Sequence, residues 1–168
     1  MKKYLCIPFL FPLLSIGQSS LELKIFNELN EYRKSYGLRT LPYDSLASVA
    51  SSHHSNWMNL SGVVSHFENS DMKKFQELYG LENRNEYFEV QMFNEICTAV
   101  PSQGFSSALT DDFISESVIE SFASSPKHND TMKLFIEEDF PIGLGIGAIK
   151  GKDTVWVTIN FSIIQRFD

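Results

Sequence analysis

Cysteine is almost absent: there are two in 168 residues, Cys6 and Cys97. Cys6 sits inside the apolar run at the N-terminus, so a chain shorn of that run keeps Cys97 alone. One cysteine makes no internal disulfide, and such a domain must hold together by packing. Basic residues are also scarce, with 14 Lys and Arg against 21 Asp and Glu and a net charge of −7. An acidic surface repels phosphate backbones, so no nucleic-acid partner is expected. The longest apolar run, residues 4–16, is shorter than the roughly 20 residues a bilayer-crossing helix needs, so no integral membrane span is expected. Catalytic signatures are missing too: there is no H-E-x-x-H, no G-x-S-x-G and no phosphate-cradling glycine loop. There is no internal repeat and no regular βαβ alternation, which sets aside repeat arrays and doubly wound sheets.

The rest of the composition is that of an ordinary globular protein, 43% hydrophobic and 21% charged, with 14 Phe to build a core. The length suits one domain. Lys2 and Lys3 precede the apolar run, Pro8 and Pro12 interrupt it, and Ser15-Ile16-Gly17 offers a cleavage point. Residues 1–17 are therefore expected to be a secretory signal peptide, residues 18–168 a single domain, and the protein secreted or held in the cell envelope. The competing reading, a buried N-terminal helix, conflicts with the two prolines and the positive start. Loss of Lys2 and Lys3 would leave the remaining chain more acidic still.

Apolar residues Leu21, Ile25, Phe26, Leu29 and Tyr32 recur with helical spacing, and Gly37 marks the stop. Leu41-Pro42-Tyr43 is extended. Asp44 or Ser45 caps a second helix whose inner face is expected to carry Leu46, Val49, Ala50, Trp57 and Leu60, with Gly62 ending it. A short helix is expected near 72–79 within an irregular stretch, and a strand over 87–100. Residues 103–107 read as a loop. A helix starting at Asp111 or Asp112 reaches Phe122, and a short one covers about 127–134. Finally, 142–147 alternates apolar residues with Gly143, Gly145 and Gly147, and Val155, Val157, Ile159 and Phe161 alternate with Trp156, Thr158 and Asn160. These are two strands joined by a turn at 150–153. The alternating glycines fit close packing better than a nucleotide site. Helices first and antiparallel strands last make the class α+β.

Residues 29–44 (Leu-Asn-Glu-Tyr-Arg-Lys-Ser-Tyr-Gly-Leu-Arg-Thr-Leu-Pro-Tyr-Asp) resemble the opening of CAP domains, L-N-x-x-R-x-x-x-G-L-x-x-L-x-x-D. The continuation Leu46, Ala50, His54 and Met58 is in register with L-x-x-x-A-x-x-x-H-x-x-x-M. Ser65-His66 matches the Ser-His after the second helix, and Ser125-Pro126-Lys127-His128 the S-P-x-H of bacterial members. Residues 142–145 and 156–161 match the closing strands. The ordered set, over about residues 23–162, resembles the CAP superfamily of cysteine-rich secretory proteins, antigen 5 and pathogenesis-related proteins. The resemblance implies a three-layer α-β-α sandwich with a central antiparallel sheet. The family's G-E-N is here Asn94-Glu95-Ile96, its tryptophan before S-P-x-H is Phe122, and the position of its second glutamate is Ser125. The tetrad of two His and two Glu is thus incomplete.

Carried over position by position, the resemblance implies a cleft holding His66, Glu95 and His128. Two imidazoles and a carboxylate suit a divalent ion such as zinc, with His66 and His128 as metal ligands. Each residue has a plainer reading: His66 bridging a loop, Glu95 accepting backbone hydrogen bonds, His128 sitting near a helix start. His53 and His54 point about 100° apart on a helix and do not share a metal; His54, on the face of Ala50 and Met58, reads as a packing histidine. Cys97 shares a strand face with Glu95. It reads as a small buried hydrophobe, with a soft metal ligand or a nucleophile paired to His128 as alternatives. The functional expectation is an extracellular module that binds a ligand or protein through this cleft. The alternative is a divalent-metal-assisted hydrolase with Glu95 as ligand or general base. Residues 67–86 are the expected seat of ligand specificity, as loops on rigid scaffolds often are.

Overall fold

The computed structural model describes residues 19–66, 88–103, 109–137, 140 and 142–166. The expected leader, the short helix near 72–79, the specificity stretch 67–86 and residues 104–107 of the expected loop lie outside these residues.

Short polar side chains start the first three helices. In α1 (Ser20–Ser35), Ser19 Oγ accepts from the Glu22 amide and Glu22 reaches back to the Ser19 amide, a reciprocal capping box. In α2 (Ser45–Ser61), Asp44 accepts from the amides of Leu46 and Ala47, and Gly62 closes the helix at φ 71°. Thr110 caps α3 (Asp111–Ser124). Pro126 opens α4 (Pro126–Met132), where its missing N–H costs nothing. The strands are β1 (Phe88–Pro101), β2 (Ile142–Lys150) and β3 (Thr154–Arg166). Among the described residues they form one antiparallel sheet in the order β1-β3-β2.

The sheet separates two unlike layers, the α-β-α sandwich expected from the sequence. On one face, Val155, Val157, Ile159 and Phe161 of β3 join Ile142, Leu144, Ile146, Leu21, Ile25, Leu29, Ile114, Val118 and Phe122 in an apolar core under α1 and α3. Burying each large side chain contributes about 1.5–3 kcal/mol. The other face, under α2, is polar and hydrogen-bonded. Ser55 Oγ donates to Thr158 Oγ1 at 3.0 Å and Asn160 Nδ2 to Ser51 Oγ at 2.9 Å. Ser162 donates to Asp44.

Glycines decide how α2 sits. A Cβ built on Gly145 would collide with the backbone of Ala47, and one on Gly147 with that of Ser51 and Ser52. The helix therefore lies directly on the backbone of β2 and presents small residues to it. Ala47, Ser48, Ala50, Ser51, His54, Ser55 and Met58 are buried, whereas Leu46 is 46% and Leu60 78% exposed. Of the inner face expected from the sequence, Ala50 is buried, and Leu46 and Leu60 are corrected to the outer face. Both leucines face outward, and where the helix crosses Gly145 and Gly147 the close approach is made by Ala47, Ser51 and Ser52.

Two buried polar side chains fix the remaining segments. Asn30 exchanges two hydrogen bonds with the backbone of Leu41, at 3.1 and 2.8 Å. Arg33, fully buried, donates to the carbonyls of Arg39, Met132 and Leu134. Burial first, and the nearby Arg39 second, hold its guanidinium below the usual arginine range. Tyr32 adds a bond to Asn129 at 2.9 Å. Together they clamp α4 to α1.

Candidate functional site

The site begins with a register change in β1. Met92 lies opposite Ser162, but Asn94 lies opposite Phe161, so Phe93 is an extra residue, a β-bulge. In the register of residues 88–92, Glu95 would fall opposite Ile159 on the apolar face. The bulge moves it opposite Asn160, and Cys97 opposite Thr158, on the face covered by α2. That is where His54 projects.

His54 is buried, and its Nε2 lies 2.8 Å from the Ser65 carbonyl. A carbonyl only accepts, so Nε2 carries a proton and donates it. The bond folds the segment after α2 back onto the helix and sets the neighbouring His66. His66 Nδ1 donates to Glu95 Oε1 at 3.1 Å, while the other carboxylate oxygen lies 3.8 Å from His54 Nδ1. His66 is 46% exposed and Glu95 18%. The opposite wall comes from α4. The His128 ring stands 5.9 Å from that of His66 and packs edge-on against Phe122 at 5.4 Å. Burial, and then His66, lower the pKa of His128. His66, Glu95 and His128, distant in the chain, thus meet at one spot.

The structure adds two residues that the sequence reading set aside. His54 is a satisfied packing histidine, and it also borders Glu95. Its signal was the helical register that puts it with Ala50 and Met58. Cys97 is 2% exposed, and its sulfur lies 3.7 Å from His66 Nδ1. Burial, then the Glu95 charge, push its thiol up to about 12. A thiol so placed stays protonated at neutral pH and is no nucleophile. The imidazole within its reach is His66.

His66 and His128 face each other with ring centres 5.9 Å apart, and Glu95 contacts His66; two imidazoles and a carboxylate are donor types that a divalent ion takes. Ser125 supplies no second carboxylate. It sits at the N-cap of α4 without a side-chain capping bond.

Among the described residues, a three-stranded sheet between α2 and the α1–α3 layer, with histidines converging on a strand carboxylate, defines the scaffold class. The sequence model of the cysteine-rich secretory protein family, CAP, matches residues 26–161, and the chain belongs to that family. An extracellular protein containing an SCP domain from Bacillus anthracis str. Ames shares the fold, with a TM-score of 0.54, 17% identity and coverage of 84% of this chain and 39% of that one. An outer surface protein of Borrelia burgdorferi does so with a TM-score of 0.55, 13% identity and coverage of 90% and 97%. At these identities the likeness is one of fold. The chain thus spans well under half of the Bacillus protein and nearly all of the Borrelia one. Comparison with curated proteins returns no match.

Proposed function

We propose that this protein is an extracellular binding module that recognises its ligand at the His66–Glu95–His128 cleft. The observation that carries the reading is the junction itself. A half-exposed His66 is held by Glu95 on one side and faced by His128 on the other. Fixed polar groups at a rigid sheet edge can orient a ligand without moving. Export is supported by the leader-like residues 1–17 and by the extracellular and outer-surface descriptions of the Bacillus and Borrelia proteins. Fold alone does not fix a ligand.

Retention of wild-type protein on immobilised peptides, glycans and lipids, compared with His66→Ala and His128→Ala, tests the reading. Loss of retention in both variants, with their folds intact, supports it. Equal retention in all three proteins overturns it. Metal-assisted hydrolysis is the second reading, favoured by the contact of Glu95 with His66, which His128 faces. A bound ion would supply an activated water, and Glu95 would hold or move its proton. It requires turnover of ester or peptide substrates that ceases in both variants.

A further inference from the structure

Behind the cleft, His54, Glu95 and Cys97 offer one imidazole nitrogen, one carboxylate oxygen and one sulfur within 4.8 Å of one another. This corner is not the His66–His128 pair: it lies between α2 and β1, and two of its three members are buried. We propose that it is a binding site for a thiophilic divalent ion of the zinc class, held by His54 Nδ1, a Glu95 oxygen and Cys97 Sγ.

Three features carry the proposal. The first is the orientation of His54. Its Nε2–H is committed to the Ser65 carbonyl at 2.8 Å, so Nδ1 is the nitrogen turned toward Glu95. Metal-binding histidines are fixed in this way, with the far N–H donated to a carbonyl. The second is spacing. Tetrahedral zinc with N, O and S ligands holds its donors about 3.3–3.6 Å apart. Here His54 Nδ1 to Glu95 Oε2 is 3.8 Å, and the donor atoms of His54, Glu95 and Cys97 all lie within 4.8 Å of one another. A pair at that limit must close by about 1.2–1.5 Å to reach zinc-bound spacing. The third is ligand type. Sulfur and imidazole select zinc-like ions over calcium and magnesium, which take oxygen.

Binding forms a sulfur–metal bond as the Cys97 S–H bond breaks, and the proton leaves to solvent. The ion then clamps α2 to β1 in a chain whose described residues contain no disulfide. It would be a staple and, because Glu95 is shared, would set the back wall of the cleft. The proposal does not depend on the binding-module reading.

Cobalt titrated into purified, chelator-stripped protein tests it. The expected result is one cobalt per chain with a near-ultraviolet thiolate-to-cobalt charge-transfer band, displaced by zinc. The band should vanish in Cys97→Ala, weaken by about tenfold or more in affinity in His54→Gln, and persist in His128→Ala. The wild-type spectrum needs no variant to fold. No cobalt binding, or cobalt bound without the thiolate band, overturns the proposal. So does binding that survives Cys97→Ala but is lost in His128→Ala, which would put the ion at the mouth of the cleft.

Discussion

Gly145→Ala probes the contact on which the site is built. The added Cβ meets the carbonyl carbon, oxygen and Cβ of Ala47 well inside van der Waals distance. The obstacle is helix backbone, which cannot rotate away as a side chain does, so α2 must lift from β2 or the strand must bend. Overpacking a filled core costs typically 1–3 kcal/mol, and a backbone obstacle places this change at about 3 kcal/mol. For a chain of this length that corresponds to a fall in Tm of roughly 6–12 °C. Lifting α2 also strains its bonds to the strands, including Ser51 to the Gly145 carbonyl at 3.1 Å. Urea unfolding of both proteins measures the loss. Gly62→Ala is the control: nothing lies within 4 Å of its Cβ position, and only its φ of 71° opposes a side chain, a cost of about 1 kcal/mol. Should Gly145→Ala stay within about 0.5 kcal/mol of wild type, the account of how α2 is seated is wrong.

Three further outcomes are expected. Arg33→Met leaves three carbonyls on 39, 132 and 134 without their donor, and should lower stability by about 3 kcal/mol or more; a loss under 1 kcal/mol in urea unfolding would argue against the α1–α4 clamp. The pKa of His128 in the fold lies below its ordinary 6.5, so the unfolded chain binds the proton more readily. Its contribution is therefore intact above about pH 6.5 and lost as pH falls below it, and His128→Asn should flatten the decline in Tm with acid over that window; an unchanged slope would refute the shift. Cys97, buried and pushed up to about 12, should resist iodoacetamide at pH 8 in the native protein and react once unfolded; equal rates in both states would contradict its burial.

The helices, the closing hairpin and the glycine alternation were legible because each rests on local signals: capping residues, a 3.6-residue period and a two-residue period. His66, Glu95 and His128 were legible only through motif order, since nothing local marks them as neighbours. The inner face of α2 was misread at Leu46 and Leu60 because hydrophobicity was taken as the guide to burial. Where the helix crosses Gly145 and Gly147 the close approach is made by Ala47, Ser51 and Ser52, and the two leucines lie outside. The bulge at Phe93 carries no glycine to announce it, yet it decides that Glu95 and Cys97 face His54. The Ser65 carbonyl that fixes His54 depends on how the chain leaves α2, which no periodicity encodes.

The most direct test of the account is the nitrogen-15 spectrum of the histidine side chains in wild type and Glu95→Gln. One carboxylate contacts His66 and borders His54, and His66 faces His128. The account predicts that this single change shifts the ring resonances of His66 most, with His54 and His128 shifting less. Ring resonances of His66 that stay in place would contradict it, because Glu95 would then not be the residue around which the cleft is organised.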